Sequence, residues 1–551
     1  MSPSMKRVVL VGATGVFGAR LARMLARRPD VELVLAARRL APLEALQAEL
    51  ARSRSPARIS VAVVDRDRPT ALAALAPFVV VDAAGPFQGQ DATFPSAALA
   101  AGAHFVDLAD ARDFVAAFSE RLAVPVKAAR RWAITGASST PALTCAAVDR
   151  LTEGWTRIDR IDAAISPGAR APRGLSVVQA ILRWAGGPVA VFIDGEQTVR
   201  PGWSAPRRVA FPGLGQRWIS LAETPDLDQL KHRYAPTRDA LFGAGLELAP
   251  LHLGLWALSL LRRWRLLPTL EPLAVLLNAG AGLAAPLGSD RGGMTVRVEG
   301  LDGAGAPVAA RWSLWAEDGA GPNVPAAPAA AMVAALLDDA LGPPRAGACV
   351  GLAPLEALLA PLAGLPIRTR IDRAAPVAPG LFPRVLGSAF DALPPVVRHA
   401  HGGEQTLTSQ GGARARGGRG PAALARRLQG LPAPGLHALE VSIVPQAGGE
   451  TWARRFGART FRSKIMAAPD DPFAFEETVG PLTFRFHAAP YPSGFSWIFE
   501  SWRLGPLPLP AAWGPRVRAR TFARGGTYRF RVLVAHPWLG VIFGYAGRLK
   551  G

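Results

Sequence analysis

Three glycines near the start of the chain, Gly12, Gly15 and Gly18, stand at three-residue spacing in the segment GATGVFG. The first glycine of such a segment allows a tight turn, and the second removes a side chain where a phosphate must approach the backbone. The third lets the following helix pack closely on the sheet. The free N–H groups at the start of that helix bind phosphate oxygens. The spacing therefore predicts a nucleotide-binding turn.

A turn of this kind needs a strand before it, and a helix and a second strand after it. The apolar run Val8–Val11 predicts the first strand, Ala19–Ala26 the helix, and Val31–Ala36 the second strand. Together they span about the thirty residues expected of a dinucleotide-binding βαβ unit.

Arg38 and Arg39 follow the second predicted strand, and no acidic residue stands beside them. An acidic residue at this position would hold the ribose 2′-hydroxyl of NAD, whereas arginine suits the additional 2′-phosphate of NADP. The pair therefore predicts NADP(H) as cofactor, the alternative being two solvated arginines in an arginine-rich chain.

The alternation of strands and helices continues to residue 140. Further strands are predicted at Ile59–Val64, Phe78–Val81, His104–Leu108 and Trp132–Thr135, with helices between them. This order predicts an α/β domain over residues 1–140, a Rossmann-type doubly wound parallel sheet. Asp65, at the end of the third strand, is placed either to bond an adenine edge or to cap the next turn.

Few residues suggest acid–base chemistry. His104, Asp107 and Asp110 lie near predicted strand ends, and Arg291 lies in a polar turn, where it is a candidate clamp for an anionic group. The Tyr-x-x-x-Lys couple is absent, because Tyr234 is followed four residues later by Arg238. The two cysteines, Cys145 and Cys349, lack metal-ligand spacing, so no metal site is expected.

Residues 141–372 predict an α+β domain for substrate binding or oligomerisation, with a helix near 326–341 that returns to the first domain. The apolar segment 246–287 is interrupted by proline and polar residues, so it lacks the ~20 continuous apolar residues of a spanning helix. Three interpretations remain for it: buried helices, a homodimer face, or a peripheral membrane contact.

A Pro- and Ala-rich linker is predicted at 373–380, followed by a β-rich domain over 381–551. That domain begins with helices and continues with nine strand-like segments, which predict a mostly antiparallel barrel or sandwich. The Gly- and Arg-rich segment 411–420 between them is expected to be a surface loop.

The net charge of +21 comes almost entirely from arginines spread along the chain, because only five residues are lysine. We attribute this charge to composition and expect no nucleic-acid partner. With two cysteines and no signal peptide expected, the predicted compartment is the cytoplasm, with membrane association left open.

The ordered motifs GATGVFG, AARR, DAAGPF, HFVDLAD and GASSTPAL resemble the saccharopine dehydrogenase-like oxidoreductases, a group that includes trans-acting enoyl reductases of lipid biosynthesis. The resemblance implies NADP contacts from Gly12, Thr14, Gly15, Val16, Phe17, Arg38, Ala84, Gly85 and Phe87. Ala13, Arg39, Asp65 and Pro86 are added from their places in or beside these segments.

The resemblance implies an NADP-dependent oxidoreductase, and the apolar segments suggest a small, hydrophobic, lipid-like substrate reduced at a C=C, C=O or C=N bond. The alternative is a non-catalytic NADP(H)-binding protein with a lipid- or membrane-binding role. The tail, with RRFGARTFRS and HPWLGVIFGYAG, resembles a bacterial domain of unknown function.

Overall fold

The computed structural model describes residues 5–172, 174–374, 380–403, 406–428, 430–446, 448–468, 471 and 473–549. The chain divides into two compact units, Met1–Ala375 and Pro376–Gly551. The predicted linker, 373–380, falls largely on residues 375–379, which lie outside the described residues.

The first unit contains two sheets with helices around them. Its elements are β1 (Lys6–Val11), α1 (Val16–Leu25), β2 (Val31–Ala37), α2 (Leu40–Arg52), β3 (Arg58–Val63), β4 (Val79–Asp82), α3 (Thr93–Ala100), β5 (His104–Asp107), α4 (Arg112–Ala129), β6 (Ala133–Thr135), α5 (Thr144–Leu151), β7 (Arg157–Ser166), α6 (Leu175–Trp184), β8 (Pro188–Ile193), β9 (Glu196–Pro201), β10 (Arg207–Phe211), β11 (Gly215–Leu221), α7 (Asp226–Tyr234), β12 (Asp239–Ala244), α8 (Ala249–Arg263), α9 (Ala274–Ala284), β13 (Gly292–Leu301), β14 (Pro307–Ala316), α10 (Ala327–Leu337), β15 (Ala346–Ala348), α11 (Leu355–Leu359) and β16 (Ile367–Ala374).

The first sheet is parallel throughout, in the order β15-β6-β5-β4-β1-β2-β3. Its central strands are apolar along their length because helices cover both faces, and Val8 to Val11 are buried. The six predicted strands are present, and β15 adds a seventh. Helix α10 packs against α1, β4 and β5, so the segment near 326–341 does return to this sheet.

The second sheet is mixed and has nine strands, with the main order β10-β11-β12-β7-β13-β14-β16. Strands β8 and β9 form a hairpin that pairs with β12. Strands β13 and β14 form a second hairpin, which pairs from Gly292 opposite Ala316 to Leu301 opposite Pro307.

The apolar segment 246–287 forms α8 and α9 with short 3-10 turns. Part of it is buried, with Leu255, Leu270 and Ala274 in a small cluster against α6 and Trp203. Many of its apolar side chains are exposed instead, including Leu276 (69%) and Leu283 (85%). Burial therefore explains only part of this segment. Within the described ranges, no helix combines the length and hydrophobicity needed to cross a bilayer.

The second unit begins with helices and continues with antiparallel strands. Its elements are α12 (Leu381–Leu386), α13 (Ser388–Asp391), α14 (Pro395–His401), β17 (Leu407–Gly417), α15 (Pro421–Leu428), β18 (Gly435–Gln446), β19 (Gly449–Phe456), β20 (Arg459–Ala467), β21 (Ala474–Val479), β22 (Leu482–Tyr491), β23 (Gly494–Leu504), β24 (Leu507–Leu509), β25 (Arg516–Arg524), β26 (Thr527–His536) and β27 (Gly540–Leu549).

Ten of these strands close into a barrel, because β22 pairs with both β21 and β23. The choice left open by the sequence is therefore settled as a barrel. Its interior is aromatic: Phe382 of α12 lies 4.9 Å from Phe495 and 5.4 Å from Phe475 between ring centres. The prediction of a loop at 411–420 is wrong, since most of that segment lies in β17, which pairs with β18 and β27.

Candidate cofactor site

The glycine turn between β1 and α1 is built as the sequence predicts. Gly12 has φ +79°, and a Cβ there would lie 2.7 Å from the backbone of Ala83 and Ala84, after β4. A Cβ on Gly18 would lie 2.1 Å from the Gly12 oxygen, so only glycine allows α1 to pack this closely. The fold therefore requires glycine at both positions, whether or not a ligand is bound.

The start of α1 is open. Gly15 is its N-cap residue and supplies no side chain to bond the first N–H groups, and both Thr14 and Gly15 are exposed. Val16 and Phe17, the first residues of the helix, are half-buried. Ala13 is fully buried, and its N–H donates to the Ala36 oxygen at 3.2 Å. Ala13 therefore shapes the turn, while the uncapped helix start is suited to a phosphate.

Arg38 and Arg39 lie between β2 and α2, at the same edge of the sheet as the turn, and both are exposed. Within the described residues, neither side chain makes an ion pair or a hydrogen bond to the protein. Two unpaired guanidinium groups at the end of the second strand suit the 2′-phosphate of NADP.

The segment after β4 is held by Arg66, a residue that no sequence motif singles out. Arg66 Nε lies 2.7 Å from Asp82 Oδ2, and Arg66 Nη1 donates to the oxygen of Ala84 at 2.9 Å. The guanidinium also stacks on Phe87, 4.7 Å from the ring centre. An arginine just after a strand was the available signal, but its partners are distant in sequence.

Residues 84–87 divide into exposed and buried positions. Gly85 and Pro86 are exposed, and a Cβ on Gly85 would meet no protein atom within 4 Å. Phe87 is buried against Phe114, with ring centres 6.0 Å apart, so its side chain belongs to the core. The backbone of Ala83 and Ala84 therefore lies against the glycine turn, and Gly85 borders open space.

Asp65 follows β3 and closes the next turn, because its Oδ1 accepts from the N–H of Asp67 at 3.1 Å. This is the capping role that the sequence left open for it. The other carboxylate oxygen makes no hydrogen bond to the described residues, so a second role in binding adenine stays a prediction.

Asp107 is a buried anchor at the end of β5. Its Oδ1 accepts from Thr135 Oγ1 and the Gly136 N–H, each at 2.8 Å, and from the Ala109 N–H at 2.9 Å. Burial, with a smaller contribution from Asp82, raises the pKa of Asp107 to about 7. These bonds tie β5 to the end of β6 and the loop after it. Asp107 therefore holds these two segments in place.

His104 begins β5, at the edge of the sheet opposite the glycine turn. Its Nδ1 accepts from the Trp132 N–H at 3.0 Å, and burial lowers its pKa to about 4. This position does not support proton donation near the cofactor, because the candidate site lies at the other end of the strand.

Asp110 lies after β5 on the cofactor side, exposed, with Oδ1 accepting from Gln88 Nε2 at 3.3 Å. Although the residue as a whole is exposed, desolvation by the surrounding protein raises the pKa of its carboxyl. Arg291, in contrast, donates to Glu317 Oε1 and to the Gly213 oxygen, each at 2.7 Å. Of the four catalytic candidates, Asp110 alone joins exposure with a place at this edge.

The residues present fit NADP(H). The backbone around Gly85 leaves room for a ligand, and the start of α1 is uncapped. Among the described residues, the arginines after β2 have no ion pair or hydrogen bond. All of these features follow the carboxyl ends of β1, β2 and β4, where open parallel sheets bind their ligands.

Two known protein families match this chain, one in each half. Residues 8–132 match the saccharopine dehydrogenase NADP binding domain, and residues 393–549 match a domain of unknown function, DUF4166. No curated protein sequence matches the chain.

Several solved structures are similar in part. Saccharopine dehydrogenase (L-Glu forming) from Saccharomyces cerevisiae is 13% identical, with a TM-score of 0.47 over 67% of this chain and 100% of that one. GenD2 from gentamicin A biosynthesis, in complex with NAD, is 14% identical, with a TM-score of 0.32 over 68% and 97%. An engineered D-amino acid dehydrogenase bound to NADP+ is 14% identical, with a TM-score of 0.35 over 64% and 96%. The chain thus joins an NADP-binding domain of the saccharopine dehydrogenase type to a DUF4166 domain.

Proposed function

We propose that the protein is an NADP(H)-dependent oxidoreductase that acts on a small hydrophobic, lipid-like substrate at a C=C, C=O or C=N bond. The observation that carries the cofactor choice is the pair Arg38 and Arg39, exposed and unpaired within the described residues at the end of β2. A 2′-phosphate between them gains charge-assisted hydrogen bonds that NADH cannot form.

The chain's own groups have separate tasks in this proposal. The N–H groups at the start of α1 bind the pyrophosphate, and the backbone of Ala84 and Gly85 lies alongside the cofactor. NADP(H), when bound, supplies the hydride chemistry. The Asp110 carboxyl, oriented by Gln88, is the candidate group for holding or delivering a proton, because its pKa is raised.

A hydrophobic substrate is supported by the exposed apolar side chains of 246–287, which the first unit leaves uncovered. The same segment carries Arg262, Arg263 and Arg265, so it also suits a peripheral contact with an anionic membrane. This second property supports the alternative function, an NADP(H)-binding protein with a lipid-binding role and no turnover.

Titration of the full chain with NADPH and NADH tests the cofactor assignment. We expect NADPH to bind more tightly, and Arg38→Ala/Arg39→Ala to weaken NADPH binding ~10- to 100-fold while changing NADH binding little. Arg58→Ala is the control, because Arg58 is an exposed arginine at the start of β3, the end of that strand away from the glycine turn. Equal affinity for both cofactors in the wild-type chain would refute the NADP preference.

Turnover separates the oxidoreductase from the non-catalytic alternative. Small molecules that co-purify with the protein, identified by mass spectrometry, are offered back with NADPH while its absorbance is followed. The proposed enzyme is supported if the wild-type protein consumes NADPH and Asp110→Asn consumes it more slowly while binding NADPH with the same affinity. Binding of both cofactor and lipid without consumption supports the alternative.

A further inference from the structure

A wide cleft of about 1090 Å³ lies on the outer wall of the barrel and is lined by residues of β17, β18, β25, β26 and β27. Small residues such as Gly412, Ala438 and Ala546 line it between longer side chains. Its charged lining is entirely basic, with six arginines: Arg414, Arg520, Arg524, Arg529, Arg531 and Arg548.

The alternation of the strands explains why these arginines face outward. In β26 the side chains of Tyr528 and Phe530 are buried in the barrel, so Arg529 and Arg531 point to the other face. The same alternation in β25 buries Ala519 and turns Arg520 outward. The cluster is therefore fixed by the barrel and does not depend on a loop.

Strand pairing brings like charges directly opposite each other. Arg520 pairs with Arg531 across β25 and β26, and Arg529 pairs with Arg548 across β26 and β27. Like charges at opposed positions of an antiparallel pair destabilise the sheet. Repulsion within these two neighbouring pairs lowers the stability of the folded state, and a bound anion would reduce that repulsion.

Within the described part of the chain, no acidic side chain is paired with this charge. Among the described residues, none of the six arginines forms an ion pair or a hydrogen bond, and the Nε of Arg529 is buried without a partner. From Gly505 to Gly551 the sequence contains seven arginines and no aspartate or glutamate. The cleft therefore concentrates positive charge that no acidic side chain among the described residues balances.

We propose that this cleft binds a ligand carrying two or more closely spaced phosphate groups. Planar guanidinium groups bind phosphate oxygens in pairs, and one phosphate presents more oxygens and more charge than one carboxylate. Several phosphates together match an array that spans four neighbouring strands, β17, β27, β26 and β25. The shared chemistry fits a soluble polyphosphate or a lipid headgroup with two phosphates.

Two probes applied to the full chain distinguish these sources. Inorganic tripolyphosphate is titrated calorimetrically, and phosphatidylcholine vesicles with and without cardiolipin are used in co-sedimentation. Tripolyphosphate binding without vesicle binding identifies a soluble ligand. Cardiolipin-dependent sedimentation that tripolyphosphate reverses identifies a headgroup. Both results support the site.

Variants assign the binding to the cleft. Arg529→Gln/Arg531→Gln should weaken tripolyphosphate binding at least ~10-fold. The control Arg516→Gln/Arg518→Gln makes the same charge change on β25, at positions that do not line the cleft, and should change binding little. Circular dichroism and the melting temperature establish that each variant is folded. Equal loss in both double variants would reduce the effect to net charge and overturn the proposal.

The cofactor site also attracts phosphate, so the titration is repeated with Arg38→Ala/Arg39→Ala. Retained tripolyphosphate binding in that background supports a separate site, whatever happens to NADPH. No tripolyphosphate or cardiolipin binding by the wild-type chain would overturn the proposal. So would duplex DNA binding that tripolyphosphate does not displace, because the occupant would then be a nucleic acid.

Discussion

Asp82 and Asp107 lie directly opposite each other at the carboxyl ends of β4 and β5, and both are 0% exposed. Burial raises the pKa of Asp82 to about 6 and that of Asp107 to about 7. Asp82 has Arg66 as a counter-ion, whereas Asp107 is bonded only to neutral donors. The Asp82 carboxyl therefore loses its proton more readily than the neighbouring Asp107 carboxyl, because only Asp82 has a positive charge beside it.

The raised pKa of Asp107 makes stability depend on pH. The folded state retains a proton that the unfolded chain releases near pH 3.8, so stability falls as pH rises from there to about 7. Asp107→Asn removes this titration while keeping an oxygen for the three donors. We expect the melting temperature of the variant, relative to wild type, to rise across this window.

The difference between the two proteins isolates Asp107, because buried His104, His252 and His401 titrate in both. Their pKa values are lowered by burial, so their contribution to stability is lost as pH falls. A wild-type and variant difference that stays constant from pH 4 to 8 would contradict the assignment of a raised pKa to Asp107.

Gly12, after β1, and Gly85, after β4, should respond differently to alanine. In Gly12→Ala the new Cβ lies 2.7 Å from backbone atoms, and the alanine must adopt a left-handed backbone conformation. We therefore expect the free energy of unfolding to fall by on the order of 2–4 kcal/mol. Gly85→Ala meets no protein atom, so we expect an unchanged melting temperature but weaker NADPH binding. Denaturant unfolding and NADPH titration measure both. Full NADPH affinity in Gly85→Ala would exclude a close approach of the cofactor there.

Removing Arg66 should be costly because it leaves Asp82 buried without its counter-ion. Arg66→Leu is expected to lose about 3–5 kcal/mol of stability at neutral pH, and less below pH 6, where Asp82 can accept a proton. Arg68→Leu is the control in the same loop, because Arg68 is exposed. Adding Asp82→Asn should recover part of the loss, and strict additivity of the two changes would argue against a direct pair.

The exposed apolar side chains of α9 offer a test of what covers them. Leu276→Glu and Leu283→Glu should leave the melting temperature unchanged, because neither side chain is buried. The double variant should lose vesicle binding if the partner is a membrane, or change from dimer to monomer in sedimentation velocity if it is a second copy. Val124→Glu, at an isolated exposed position on α4, is the control. A melting temperature lowered by several degrees would mean that these side chains are packed in solution.

The first sheet could be predicted in detail because its pattern is local. The six predicted strands differ from the observed ones by at most two residues at either end. The glycine turn followed from spacing alone. Strand β15 could not be predicted, because Ala-Gly-Ala has no strand propensity and depends on pairing with β6.

Strand β17 and the basic cleft were missed for a related reason. Alternating small residues and arginines between 411 and 417 have the composition of a loop, and only the neighbours β18 and β27 make them a strand. An excess of arginine in the sequence does not reveal a binding surface, because only the strand register shows which arginines share a face. Arg66 was missed because its partner, Asp82, is joined to it only by the fold.

The position of β15 in the chain has a consequence for biosynthesis. The edge next to β6 receives its last strand only when Ala346–Ala348 has left the ribosome, after all but one strand of the second sheet. Until then Met332 and Val333 of α10, both fully buried in the finished protein, are also missing from the nucleotide-binding half. A fragment that ends after β6 would expose that edge and the apolar surface beneath α10. We expect the two sheets of the first unit to mature together, and a stable fragment to extend beyond residue 348.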